Sequence, residues 1–316
     1  MRGGARKTDP FRIFMPLPSS LAGPKADDAA RYAAGLSLIF FGGLVLSIDI
    51  PLIRLSESGF ATVVFVRGAL SFLVAVLLWA LLGRGGRAPL IAGRLGLAVT
   101  GLYALATLTF LLAVFMTKAA NLVFILALNP MFAALLSWAI AGEKPSRATL
   151  LAIPATLLGV FLIVGAGLDG SAWLGDLAAL ATAFLIALAL TLARRSRQDM
   201  RYASAIAAIV PALLALPFVI AGGGLQSEAI GWLVINGGIV MPLALICLAA
   251  GPMFVPSPVV SMGYLVETVL APVWMWMIFY ERPSALSRTG GGLIIATLLA
   301  HSLVELRGRR APQRAS

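Results

Sequence analysis

Apolar runs of about twenty residues follow one another along nearly the whole chain, and a helix needs about that length to cross a bilayer. The runs cover approximately 31–53, 59–82, 90–114, 118–141, 147–167, 173–193, 202–221, 229–250, 258–280 and 286–306. The sequence is therefore expected to form an all-α membrane protein with ten transmembrane helices. Composition excludes most other classes. Of 316 residues, 60% are hydrophobic and 12% charged, against about 25% charged in soluble domains. A soluble enzyme, a nucleic-acid-binding domain, a disulfide scaffold and a disordered chain are all ruled out, and no sizeable soluble domain fits. Cys247 is the single cysteine and His301 the single histidine. An intrachain disulfide and a His-based or thiolate metal site are thus excluded, and no cofactor is expected. No signal-peptide pattern stands in the polar segment that precedes Arg31.

The net charge of +11 reports topology rather than a nucleic-acid partner, because Lys and Arg collect in cytoplasmic loops. With the N-terminus inside, 19 Lys and Arg fall on the cytoplasmic side and 4 on the other (Arg54, Lys118, Arg282 and Arg288). Arg67 alone lies within a span. Nine spans would put the cluster Arg194–Arg201 outside. Ten spans with both termini cytoplasmic is the expected topology.

The chain repeats itself. Laid over each other, segments 133–146 and 271–284 agree at Ala133/Ala271, Trp138/Trp276, Ile140/Ile278, Glu143/Glu281, Pro145/Pro283 and Ser146/Ser284. The halves, 31–167 and 173–306, hold five expected helices each, between basic tails at 1–30 and 307–316. An odd number inverts the second copy, and inverted repeats that rock about a midplane site are a transporter design.

These residues resemble a family. Asn129-Pro130-Met131-Phe132, Trp138 and Gly142-Glu143-Lys144-Pro145-Ser146 resemble the end of the fourth helix in the EamA-type branch of the drug/metabolite transporter superfamily. Leu265-Val266-Glu267, Trp274-Met275-Trp276 and Glu281-Arg282-Pro283-Ser284 resemble its second copy. Ser47-Ile48-Asp49-Ile50-Pro51, with Arg67-Gly68, looks like the start of the first copy, and Gly175-Asp176-Leu177 like the start of the second. The likeness implies two inverted five-helix repeats around a central cavity. It departs at Tyr280, where the family usually has Gly, and at Thr268, where it usually has Pro. It does not specify a substrate.

Three charges inside spans carry the chemistry. Asp49 lies about 7 Å inside the outer end of the first helix, and Arg67 about 12 Å deep in the second. A lone charge at mid-span costs about 2.5–3.5 kcal/mol. Either residue can face the cavity and bind a charged substrate group, or the two can pair and hold their helices together. Glu267 stands near the midplane with no basic residue close in sequence. It can exchange a proton, bind a cationic group, bond across helices, or pair with Arg67. The spacing from Asn129 to Glu143 equals that from Glu267 to Glu281. Asn129 is thus a second binding candidate at a symmetry-related position, or a link between helices. Trp274 and Tyr103 can line the cavity or pack. Glu143 and Glu281 can latch the two gates alternately or cap the helices that follow, and Asp176 reads as an N-cap or first-turn acid.

The function expected from this is secondary active transport of a small polar or zwitterionic metabolite, such as an amino acid. Export across a bacterial inner membrane, with proton coupling through Glu267, is the direction the likeness suggests. A monomer suffices, and a homodimer is compatible. No catalytic set or nucleotide-binding loop is present. The alternatives are a non-transporting membrane scaffold and a membrane-embedded enzyme acting on lipid.

Overall fold

Long apolar runs fold as helices in lipid because a helix satisfies its own backbone polar groups. The computed structural model describes residues 24–82, 91, 93–142, 145–165, 172–196, 200, 202–225, 229–250 and 257–310, and no strand occurs among them. Most of the basic N-terminal tail, the end of the C-terminal one and Glu143 lie outside the described residues.

The first run forms α1 (Pro24–Leu46) and α2 (Asp49–Leu55), and the next two form α3 (Phe60–Leu82) and α4 (Gly93–Met116). The fourth divides into α5 (Ala119–Leu126) and α6 (Asn129–Ala141). There follow α7 (Arg147–Gly165), α8 (Ala172–Ser196), α9 (Ala203–Ala207) and α10 (Ile209–Ala221). The eighth run is α11 (Gly231–Ile235), a π-helical stretch Asn236–Val240 and α12 (Met241–Ala250). Last come α13 (Ser257–Phe279) and α14 (Ala285–Arg310). Two helices outrun their apolar segments. The first begins at Pro24, a residue suited to a first helical turn, and the last continues to Arg310.

Among the described residues, eight helical stretches are long and apolar enough to cross a membrane, from Tyr32–Leu55 to Gly231–Leu248. Large apolar side chains cover the outside, including Leu151, Phe161 and Phe218, each at least 70% exposed. Water does not tolerate so continuous an apolar surface. The chain is an all-helical, multi-pass membrane protein.

The core centres on α5, buried from Ala119 through Ile125. A helix apolar on every face belongs inside a bundle. Around it, α8 packs on α4, α5 and α6, and α1 packs on α12 and α13. α3 runs along α10, α7 along α14, and α5 touches α13.

The two matching segments share local geometry. Ser146 Oγ accepts the Thr149 N–H at 3.2 Å, and Ser284 Oγ accepts the Ser287 N–H at 3.0 Å. The residues that end α6 and α13 are both left-handed: Gly142 at φ +71° and Tyr280 at φ +56°. Glycine takes this conformation freely, whereas a Cβ makes it cost about 1–2 kcal/mol. Tyr280 is 80% exposed, so its ring contributes little packing. Tyr280→Gly is expected to stabilise the protein by about 1 kcal/mol, read as a higher unfolding midpoint in detergent.

Candidate functional site: a buried ion-pair network beside Glu267

Three helix interruptions bring polar groups into the core. Ser47 and Ile48 separate α1 from α2, so Asp49 opens a new helix. Ala127 and Leu128 separate α5 from α6, so Asn129 opens another, with Pro130 behind it. Asn236 opens the π-helical stretch. Such stretches loosen the regular ladder and often occur at functional sites.

Asp49 and Arg67 pair with each other. Arg67 Nη2 donates to Asp49 Oδ2 at 2.9 Å, and the side chains are 7% and 2% exposed, respectively. Asn236, fully buried, closes the network. Its Oδ1 accepts from Arg67 Nε at 3.1 Å, and its Nδ2 donates to Asp49 Oδ1 at 2.6 Å and to the Asp49 carbonyl at 3.1 Å. The guanidinium also lies 5.3 Å from the centre of the Phe110 ring and 3.2 Å from Met241 Sδ. No buried polar atom of Asp49, Arg67 or Asn236 lacks a partner. Arg67 thus bonds both Asp49, the partner open to it from sequence, and Asn236.

Backbone packing holds this network in place. Ser71 Oγ donates to the Gly237 carbonyl at 3.2 Å. A Cβ on Gly237 would lie 2.8 Å from the Arg67 carbonyl oxygen and 2.9 Å from its Cα. Backbone atoms cannot turn aside as a side chain can. Gly237→Ala is expected to cost about 1–3 kcal/mol by overpacking, seen as a lower unfolding midpoint.

Glu267 is at the middle of α13 and is half-buried. Its carboxyl interacts electrostatically with both Asp49 and Arg67. Trp274 falls on the same face of α13, because its separation from Glu267 is close to two helical turns. Its indole N–H donates to Ser47 Oγ at 3.0 Å, pinning α13 to the α1–α2 break. Trp276, a little further along, is half exposed on the outer surface.

The other candidates lie elsewhere. Asn129 Nδ2 donates to the Ala183 carbonyl at 3.1 Å, linking α6 to α8. Tyr103 packs in a small cluster with Val99, Ala189 and Ala203, apart from the Arg67 network. Glu281 does not cap the helix after it, where Ser284 does that work. Its Oε1 instead accepts the Ala119 N–H at 2.9 Å, at the start of α5. Asp176 is neither a cap nor a first-turn acid, because α8 already starts at Ala172: it is fully buried and accepts from Thr117 and Asn121. His301 bonds Thr149 at 2.9 Å. No group of three metal-ligating side chains occurs among the described residues.

Sequence reasoning missed Asn236. An amide within an apolar span, followed by two glycines, was the available signal, since such groups are expensive in lipid and are kept near partners.

No family model matches the chain, and no curated protein matches it. Its fold is shared with solved structures. A crystal structure described only as that of a protein superposes on 86% of this chain and 99% of its own, with a TM-score of 0.59 and 17% identity. At that identity the likeness shows the fold alone.

Proposed function

We propose that the chain is a secondary active transporter of a small metabolite, of the EamA-type branch that its motifs resemble. Counting α13 and α14 as spans gives ten, in two inverted halves of five. The packing supports this. Exchanging each span for the one five places along turns the α4–α8 contact into α12–α1, and leaves the α3–α10, α7–α14 and α5–α13 contacts unchanged. The repeated Ser caps and left-handed helix ends support it locally. Both termini lie in the cytoplasm by the charge bias, in a bacterial inner membrane, and one chain encloses the site.

The observation that carries the reading is the charge balance around Glu267. Asp49 and Arg67 neutralise each other, which leaves the carboxyl of Glu267 beside a closed pair. Arg67 therefore does not bind the anionic end of a substrate. Recognition falls on Glu267, with the Trp274 ring on the same face, and selects a cationic amino group. An amino acid or other amino-bearing metabolite fits, with export driven by proton exchange at Glu267.

Cells that overproduce the chain should tolerate growth-inhibiting amounts of at least one amino acid or amine better than cells without it. Equal sensitivity across a full panel, with the protein present in the membrane, would count against the reading.

A further inference from the structure

We infer that the α4–α5 turn, Met116–Ala119, is the gate at its end of the bundle, held shut by a clamp of Arg54, Asp176 and Glu281. The inference rests on the transporter reading and names the moving part.

Hydrogen bonds from three separate elements converge on this turn. From the last turn of α2, Arg54 Nη2 donates to the Thr117 carbonyl at 3.1 Å. From α8, Asp176 Oδ1 accepts from Thr117 Oγ1 at 2.5 Å, and both its oxygens accept more weakly from Asn121 Nδ2, at 3.3 and 3.4 Å. From the α13–α14 link, Glu281 Oε1 accepts the Ala119 N–H at 2.9 Å. A Cβ on Gly175 would stand 2.6 Å from the Met116 carbonyl carbon and the Thr117 nitrogen, so α8 lies directly against the turn. Asp176 and Glu281 come from the second half of the chain and the turn from the first. The clamp therefore ties the halves together at one end.

The clamp differs from the Asp49–Arg67–Asn236 network in one respect. Two buried polar side-chain atoms lack a partner among the described residues: Nε of the clamp's Arg54, and Oδ1 of Asn121, whose amide nitrogen bonds the clamp's Asp176. A buried polar atom without a partner raises the energy of the state that contains it. Tyr280, which delivers Glu281, sits in the left-handed region at φ +56°, and strain of that kind collects at switching sites. The closed arrangement is thus held by several bonds and opposed by two orphaned atoms and one strained residue. That balance suits a contact that opens repeatedly, whereas the fully paired network at Arg67 suits a fixed pivot.

The test is chemical access behind the turn. Ala120 is 3% exposed and directly follows the clamped N–H. An Ala120→Cys reporter in a Cys247→Ser chain is labelled in membranes with an impermeant maleimide, added from the side where Thr117 lies. A second reporter, Ala152→Cys on α7, serves as control. Hydrogen bonds to charged groups contribute about 1.5–3 kcal/mol, so Glu281→Ala should speed labelling at position 120 by about tenfold or more. Asp176→Ala should do the same, and Glu281→Gln, which keeps an acceptor, should have a smaller effect. Labelling at position 152 should not rise. Unchanged labelling at position 120 in Glu281→Ala, or an equal rise at both reporters, would overturn the gate. The two ideas fail separately. Faster labelling without any transported solute would leave the gate and remove the transporter, and transport with unchanged labelling would do the reverse.

Discussion

Asp49→Ala should destabilise the protein by about 3–5 kcal/mol, because it leaves the Arg67 guanidinium buried without its counter-charge. Arg67 is 6% exposed, so it cannot turn to water without opening the contact between α3 and the π-helical stretch. Asn236 remains as a neutral partner and cannot replace the lost charge. Removing both charges should cost much less than removing either alone, since replacing a buried pair with apolar groups is often close to neutral. The double variant Asp49→Leu/Arg67→Met should therefore regain most of the unfolding midpoint lost in Asp49→Ala. Additive losses would mean that each residue has partners beyond the network described. A well-folded double variant that still moves solute would also place the pair outside the binding chemistry, as the closed hydrogen bonding implies.

Glu267→Gln should have the largest effect on function and little effect on the fold. The substitution keeps the shape of the side chain and removes its capacity to ionise. Hydrogen bonds to charged groups contribute about 1.5–3 kcal/mol, so binding of an amino-bearing solute should weaken by about 10- to 150-fold. The unfolding midpoint should stay near the wild-type value, because Glu267 is not a member of the Asp49–Arg67–Asn236 network. If the proposed proton exchange runs through this carboxyl, wild-type flux should depend on external pH. Normal pH-dependent flux in the variant would remove the proton role.

Much of the architecture was legible in the sequence because lipid makes helix placement a question of length and polarity. Thr117 and Lys118 are the weak interruption between the third and fourth apolar runs, and the chain does break between Met116 and Ala119. The matched depths of Asp49 and Arg67 anticipated their pairing. The site itself was less legible. Asn236 is far from Arg67 in sequence, and no local pattern states that a π-helical stretch will present it. Arg67 read either as a substrate ligand or as the partner of Asp49, and its second partner, Asn236, was not visible. Glu281 read as a latch or as a cap for the next helix, and its bond runs instead to the start of a helix in the other half, Ala119. Tyr103 sits on the same helix as Phe110 but packs toward α8 and α9, a difference of face that spacing alone does not assign. Spacing along one helix predicts depth well, and it does not say which neighbour a given face will meet.

The most direct test of the account is untargeted metabolite profiling of cells and medium in three strains. One overproduces the wild type, one overproduces Glu267→Gln to the same level in the membrane, and one carries neither. The account predicts an amino-bearing metabolite that accumulates in the medium of the wild-type strain alone. Identical metabolite profiles in all three strains, or the same accumulation with Glu267→Gln as with the wild type, would contradict it.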